Sequence, residues 1–521
     1  MKRLGTAAIF SDGMVLQRET PICVFGTCDE KQEITVILDD MEVRTMSRDG
    51  EWKAFLPPKP AGGPYQMKVT TKEEVIVYHD VYLGEVWLAG GQSNMEFELR
   101  NCSTGREEMN GSKDSLLRFY QVNRSSYIEE EFYRKEEMNR WQYETEESFG
   151  TWSATGYYFA KKLREELNVA VGIIGCNYGG TSASCWIGKG MLEKDADMRT
   201  YLEDYEKVCK NRSYEEYLNK LAEYRVYEAQ WNKKVDDVYK NNPDILWSKV
   251  QEIAGPCRWP EPLGPHSPYR ACGLYETMLK RVCPYTLRGF LYYQGESDDH
   301  REHTYAKLLR QLILQWRMDW DNLSLPFLFV QLPMHIGRED RDLGNWAVLR
   351  EQQNEVYQTV RNTSMAVILE AGEFDDIHPK NKKIVGDRLA LHALSKIYQK
   401  DINPEAPSLL YAIRSGNRVI LHLKDTQGNL YYKEDHVYNK SRERYVNKEK
   451  QEEISESGFE VAGEDGIFHS ATIQIEGNRI IVISKQVMLP CYLRYAFHNF
   501  SPVTIFGGNG IPLSTFRITV G

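Results

Sequence analysis

The sequence predicts an α/β protein, a central parallel sheet with helices on both faces, flanked at either end of the chain by a β-sandwich module. Three observations carry that expectation. The apolar run at 86–89 is unbroken, as in a strand buried on both faces, and further strand-like runs follow at 169–174, 287–293, 325–332 and 365–369. Helical patterns at 155–167, 304–320, 346–360 and 382–398 fall between or after them, so strands and helices alternate as in βαβ units. Residues 1–82 and 403–521 show instead the period-two alternation of antiparallel hairpins.

In the amino-terminal stretch, β-like runs at 20–25, 33–38, 52–56 and 65–70 are separated by turn residues at Gly26, Asp39-Asp40, Asp49-Gly50 and Gly62-Gly63-Pro64. The expectation is a small sandwich that braces the rest of the chain, with sugar binding through exposed aromatics as the alternative. In the helix at 155–167, Phe159, Ala160, Leu163 and Leu167 form one stripe opposite Lys161, Lys162 and Glu165, and Asn168 closes it. Between residues 190 and 255 the composition shifts to Glu, Lys, Asp, Tyr and Leu with almost no glycine, which marks an inserted helical hairpin. Its Tyr201, Tyr205, Tyr217, Tyr224, Tyr227 and Trp231 either pack it onto the sheet or line a sugar cleft. The proline-rich 259–268 that follows is too rigid for a helix and is a candidate wall of a substrate pocket, with His266 either a ligand contact or an ordinary loop residue. Near the end, runs at 418–423, 472–476 and 479–484 with turns at Gly416-Asn417 and Gly477-Asn478 predict the second sandwich, and the charged 431–453 is expected to be a loop.

The chemistry is concentrated where strands end. At Gly90-Gly-Gln-Ser-Asn-Met-Glu96 the apolar run stops in two glycines and a serine, which presents Ser93 at the carboxyl edge of the sheet, where active sites of open α/β folds lie. A serine hydroxyl needs a base to take its proton, and His378 in Asp375-Asp-Ile-His-Pro379 is the candidate. The imidazole in turn needs a carboxylate: Asp375, three residues before it, is preferred, with Asp376 and Glu373 as rivals. Two further strand ends, Gly175-Cys-Asn-Tyr-Gly-Gly-Thr-Ser182 and Gly289-Phe-Leu-Tyr-Tyr-Gln-Gly-Glu-Ser-Asp298, offer oxyanion donors in the N–H of Gly179 or Gly180 and the Gln294 amide. Nucleophile, oxyanion donors and base thus arrive in chain order on four separate strand ends.

The whole chain narrows the function classes. Its 521 residues, 41% hydrophobic and 12% aromatic, can bury more than one core. A net charge of −10 with no basic, aromatic-interleaved run argues against a nucleic-acid partner. No stretch approaches the roughly 18–20 uncharged apolar residues of a membrane span. The ten cysteines carry no C-x-x-C pair and no histidines at zinc spacing, so neither a metal nor another cofactor is expected. Several sit among apolar neighbours, as in a reducing compartment. The basic start lacks a credible secretory leader, so the sequence as it stands predicts a cytoplasmic location, or a secreted or periplasmic one had a leader been removed.

The four motifs together resemble the consensus blocks of the SGNH (GDSL-like) hydrolases, and their wording, G-Q-S-N-M-E, G-G-T, Y-Q-G-E-S and D-I-H-P, is similar to the sialate O-acetylesterase branch. Phe10-Ser-Asp-Gly-Met-Val-Leu-Gln-Arg18 and Arg494-Tyr-Ala-Phe497 look like flanking signatures of the same family, so the resemblance covers nearly the whole chain. It implies an SGNH-like central domain over 83–402 and a serine esterase that removes O-acetyl groups from sugars. Ser93, His378 and Asp375 would form the triad, and Ser93, Gly179, Gly180 and Gln294 the oxyanion hole. Gln294 replaces the superfamily's asparagine, and Glu296 becomes an alternative partner for His378. O-acetylated sialic acid is the first expected substrate and acetylated xylan or another plant glycan the second. A carbohydrate-binding protein without catalysis is the reading from a different class, and a lipase or thioesterase would need an apolar funnel that these polar turns do not promise.

Overall fold

The computed structural model describes residues 4–111, 113–144, 149–242, 245, 247–337, 340–442 and 455–520. Six parallel strands form its centre: β1 (Val75–Gly91), β2 (Leu117–Gln121), β3 (Val171–Asn177), β4 (Gly289–Tyr293), β5 (Phe327–Gln331) and β6 (Thr363–Val367). Their order across the sheet is β2-β3-β1-β4-β5-β6, with Gln142–Tyr143 added antiparallel beyond β2. The chain leaves β1 to build one flank and returns across it to build the other. β1 is therefore the topological switch point, outside whose carboxyl end a ligand crevice is expected.

Helices cover both faces of this sheet. Trp87 on β1 meets Phe159 of the helix Ala154–Leu167 at 5.0 Å between ring centres. Three residues along, and so on the opposite face, Gly90 lies against Trp316 of the helix Tyr305–Asp319: a Cβ added there would stand 2.6 Å from the indole. Ala154–Leu167 begins and ends as its sequence predicts, with the Ser153 hydroxyl accepting the Gly156 N–H and Asn168 in the left-handed conformation. The insertion is helical, comprising Ala196–Lys210, Tyr214–Asn241 and Trp247–Ala254.

The amino-terminal stretch forms two sheets, Gly5–Thr6 with Ile22–Thr27 and Glu51–Leu56, and Glu33–Leu38 with Met41–Met46 and Gly62–Thr70. The second of these shares a strand with the central sheet. The first half of β1 pairs antiparallel with Gly62–Thr70 and parallel with Val15–Gln17, and its second half runs between β3 and β4. The carboxyl-terminal stretch holds two four-stranded antiparallel sheets. Within the segment expected to be a charged loop, Tyr431–Tyr432 pairs with Ile505–Phe506 and His436–Arg442 is helical. Burial of Tyr438 against Phe500 supplies the apolar contact that the charge of the segment concealed; residues 443–453 of that loop lie outside the described residues.

Where β1 passes from one sheet to the next, the wholly buried Glu85 ties four parts of the chain together. It accepts from Arg18 Nε at 2.6 Å, Gln17 Nε2 at 3.1 Å, Arg288 Nε at 2.9 Å and the Tyr398 hydroxyl at 2.7 Å. Burial works to raise its pKa, but the bonds and charge of Arg288 and Arg18 outweigh it and hold the carboxyl below its ordinary range. The stability this contributes is present above the usual carboxylate range and is lost as pH falls through the lowered value. Replacing Glu85 by alanine strands two guanidinium groups against buried surface and is expected to cost about 3–5 kcal/mol. Urea unfolding at pH 7 measures this, and the gap between variant and parent should close as the pH is lowered.

Candidate active site

The site is built outward from the end of β1. Gly91 has φ +132°, and a Cβ there would lie 2.1 Å from the Tyr293 carbonyl oxygen, so only glycine allows strand β1 to turn so close to β4. Gln92 then caps the short helix Ser93–Glu96: its N–H donates to Tyr293 O at 3.1 Å and its carbonyl accepts from Met95 and Glu96, both at 2.9 Å. Its side-chain oxygen accepts the Ser297 N–H at 3.2 Å, which anchors the turn after β4 to the same point. Asn94 and Met95 are buried and Ser93 remains partly exposed. Ser93, the nucleophile candidate, thus opens the short helix that follows β1.

The glycine turn after β3 lies beside it. A Cβ on Gly179 would stand 3.5 Å from Ser93 Cβ. Its N–H, however, donates to Glu96 Oε2 at 2.6 Å, and Glu96 is in turn paired with Arg124 at 2.7 Å. The expected oxyanion donor Gly179 is thus engaged by a carboxylate. Gln294 is engaged more completely, its amide donating to Thr181 O at 3.2 Å and Asp298 Oδ2 at 2.7 Å while its oxygen accepts the Tyr305 hydroxyl at 2.9 Å. It ties the turns after β3 and β4 together, since Asp298 also accepts from the Ser182 hydroxyl and the Ala183 N–H. The Gln294 amide, expected as an oxyanion donor, has each of its groups engaged by the chain in this structure. Among the described residues the N–H groups of Ser93 and Gly180 have no acceptor within the chain.

His378 sits on a loop shaped by its own acids. Asp375 has the left-handed φ of +62° and its N–H donates to Ile336 O at 2.9 Å. Asp376 accepts the His378 N–H at 2.9 Å and Glu373 accepts the Lys380 N–H at 2.8 Å, so both rivals of Asp375 hold loop backbone. Burial pushes the Asp376 carboxyl up to about 6. Among the described residues the His378 ring makes no hydrogen bond. Burial first, then the positive charge of Lys382 and the neighbouring His335, hold the ring down to about 3. It is therefore neutral, and able to accept a proton, far below the usual imidazole range.

Sequence reasoning missed the group that joins the two halves of the site. Lys382, wholly buried, donates to Asn94 Oδ1; Asn94 Nδ2 donates to Glu296 Oε1 at 2.5 Å and to the Ile377 carbonyl at 3.0 Å. The residue after the serine is thereby bonded to the residue before the histidine. The ammonium also stands over the rings of Phe97 at 4.8 Å and Tyr293 at 5.5 Å. Burial lowers the Lys382 pKa to about 8, against the pull of Glu296. Glu296, the alternative partner for His378, has one oxygen on Asn94, and among the described residues its other oxygen and the buried Tyr293 hydroxyl have no partner. A lysine four residues past a histidine in a helical pattern resembles any solvated face. Only its burial marks it.

A partly exposed serine at a sheet switch point, a neutral buried histidine tied to it through Asn94 and Ile377, and a glycine turn beside the serine form the candidate site, with the residue types an acyl-transfer hydrolase requires. Comparison with known proteins narrows the class. Residues 265–395 match the family model described as carbohydrate esterase, sialic acid-specific acetylesterase. The chain is 24% identical to the sialate O-acetylesterase of Mus musculus and 25% to that of Homo sapiens. The alignments cover 77% of this chain, and 75% and 72% of those proteins. A carbohydrate acetylesterase from Xanthomonas citri is 27% identical, with a TM-score of 0.73 over 99% of both chains. The chain is a carboxylic ester hydrolase, and its resemblance to the sialate O-acetylesterase family is borne out by the family model, the curated relatives and the solved structure.

Lys382 gives this site a testable pH dependence. His378 acts as a base only above its own pKa, and after burial the Lys382 ammonium does most to hold that value down. In Lys382→Met the imidazole should titrate nearer its ordinary range, so the acid limb of kcat/KM should move to higher pH. A pH–rate profile of parent and variant, with thermal unfolding of both as control, checks this; an unmoved acid limb would show that the ammonium does not act on the ring.

Proposed function

We propose that this chain removes O-acetyl groups from sugars, O-acetylated sialic acid first among them, through an acyl-enzyme formed on Ser93. The single observation that supports it best is the Ser93–Asn94–Ile377–His378 connection, in which one asparagine fixes the neighbours of nucleophile and base relative to each other. Ser93 Oγ attacks the acetyl carbonyl as His378 takes its proton, and the tetrahedral oxygen is held by the N–H groups of Ser93 and Gly180. On collapse His378 returns that proton to the sugar oxygen, which leaves as the free hydroxyl. Water, deprotonated by the same histidine, then attacks the acetyl-serine and acetate departs.

Asp375 is assigned the orienting role, with Glu296 and Asp376 as alternatives. Its spacing supports it, and both Glu373 and Asp376 spend a carboxylate oxygen on the loop backbone. In this reading the SGNH-like domain occupies 83–402, with the insertion at about 190–255, between β-sandwich modules at 1–82 and 403–521. The first boundary then falls inside β1, so the amino-terminal module is continuous with the catalytic sheet rather than hinged to it. The second expected substrate, an acetylated plant glycan, uses the same chemistry and differs only in the sugar.

Two experiments test these assignments. Ser93→Ala should lower kcat for acetate release by on the order of a thousandfold or more with the fold intact, and a sulfonyl fluoride should label Ser93 in the parent; labelling at another serine would move the nucleophile elsewhere. Asp375→Asn should lower kcat steeply with little change in KM, because the amide favours the wrong imidazole tautomer. Should Glu296→Gln prove far more damaging than Asp375→Asn at matched thermal stability, the triad is Ser93, His378 and Glu296.

A further inference from the structure

Next to the glycine turn stands an aromatic side chain that the ester chemistry does not use. Gly180 has φ +72°, and a Cβ on it would lie 2.6 Å from the Trp259 ring, so the indole rests directly on this residue. The other residue of the turn, Gly179, lies beside Ser93, where an added Cβ would stand 3.5 Å from Ser93 Cβ. Trp259 and the nucleophile therefore flank the same two-glycine turn. Despite this seat, 54% of Trp259 is exposed. A lone exposed aromatic is ordinary, but three features separate this one from the ordinary case.

Its orientation is fixed. The indole Nε1 donates to the Tyr269 hydroxyl at 2.9 Å, and the two rings meet edge to face at 5.5 Å and 84°. Its loop is anchored to the inserted helix Tyr214–Asn241: the Tyr227 hydroxyl accepts the Arg258 N–H at 3.0 Å and donates to Pro256 O at 3.2 Å, and Trp231 Nε1 donates to Gly255 O at 2.9 Å. Two residues on, Glu261 has a buried carboxyl oxygen with no partner among the described residues. Burial, then the charge of Glu228, push this carboxyl up to about 7, and it lies close enough to act on the phenols of Tyr178 and Tyr269. An open aromatic face with a carboxyl two residues along the same loop matches a pyranose ring, whose faces carry C–H bonds and whose rim carries hydroxyls.

We propose that Trp259 is the stacking platform for the sugar ring whose acetyl ester is delivered to Ser93, and that Glu261 binds a hydroxyl at the rim of that ring. The inserted helices then act as an arm that holds this platform over the catalytic turn, and the inference rests on the esterase reading of that turn. Trp259 makes no contact with the reacting atoms in this role. It acts on the sugar, so its loss should be felt only by substrates that have one.

The test compares an acetylated sugar with an acetyl ester that has no ring. In Trp259→Ala, kcat/KM for 9-O-acetylated sialic acid should fall about three- to tenfold, the worth of one aromatic contact, chiefly through KM, while turnover of vinyl acetate stays within about twofold. Trp259→Phe should recover most of the loss. An equal loss on both esters would reduce Trp259 to a prop for Gly180, and no loss on either would remove the platform; both outcomes overturn the proposal. A second arm is independent of catalysis: saturation-transfer NMR of the deacetylated sugar on Ser93→Ala protein should show a signal that the Ser93→Ala/Trp259→Ala protein lacks, and an unchanged signal counts against the platform. A parent enzyme that hydrolyses neither ester would sink the esterase reading, and the binding arm would still decide the fate of Trp259.

Discussion

The constraint on which the rest depends is the lack of room at the end of β1. Trp316 closes on Gly90 from one face, and the Tyr293 carbonyl stands where a Cβ of Gly91 would be. Close packing of this kind excludes every other residue at both positions. The strand must stop there, in one conformation, with the next residues thrown clear of the sheet. That is how an apolar run becomes a support for a hydroxyl. The rigidity comes from the neighbours of the two glycines, since glycine by itself would loosen the turn.

Charges buried within the strand and beyond its tip convert that local rigidity into a single body. At its middle Glu85 gathers Arg18, Arg288 and Tyr398 from three distant parts of the sequence. Beyond its tip Asn94 gathers Lys382, Glu296 and the backbone beside His378. Each network is costly to desolvate and is weak evidence for stability as such. What each does is remove alternatives: a chain segment that slipped by one residue would leave an ammonium or a carboxylate unpaired in the interior. The loop bearing His378 has few apolar anchors of its own, and the Asn94 bond to Ile377 is what refers it to the serine.

How far the sequence discloses this follows from what each feature requires of it. Strands buried on both faces need unbroken apolar runs, and turns in tight quarters need glycine, so β1, β3 and β4 and the position of Ser93 are legible. The Asn168 stop, the helical insertion and the two flanking sets of antiparallel strands are legible for the same reason. Hydrogen-bond partners are not. Gln294 has the right chemistry for an oxyanion donor, and nothing in its neighbourhood along the chain reveals that Thr181 and Asp298 will occupy its amide. Lys382 looks like a solvated helix residue until the fold wraps Phe97 and Tyr293 around it. The charged 431–442 hides a strand and a helix because one tyrosine, Tyr438, carries its burial. Residue type gives the chemistry a position could perform, and tertiary contacts decide which groups are left free to perform it.

Satisfied and unsatisfied polar groups divide this site in an instructive way. Gln294, Asp298, Asn94 and Glu96 have partners that belong to the chain, and all of them hold turns in place. Among the described residues the groups here without chain partners include the N–H groups of Ser93 and Gly180, the His378 ring, one oxygen of Glu296, the Tyr293 hydroxyl and one oxygen of Glu261. Of these, the Ser93 and Gly180 N–H groups and the His378 ring are the ones the proposed reaction would use. A buried polar group left open costs free energy, and two of these open groups are set within two residues of the Gly179-Gly180 turn or of Trp259, which rests on it: Gly180 itself and Glu261. An acetylated sugar that satisfied them together would recover that cost on binding, and would do so most fully when the carbonyl oxygen has become an anion. The selectivity for a sugar and the acceleration of its deacetylation would then draw on the same set of polar groups.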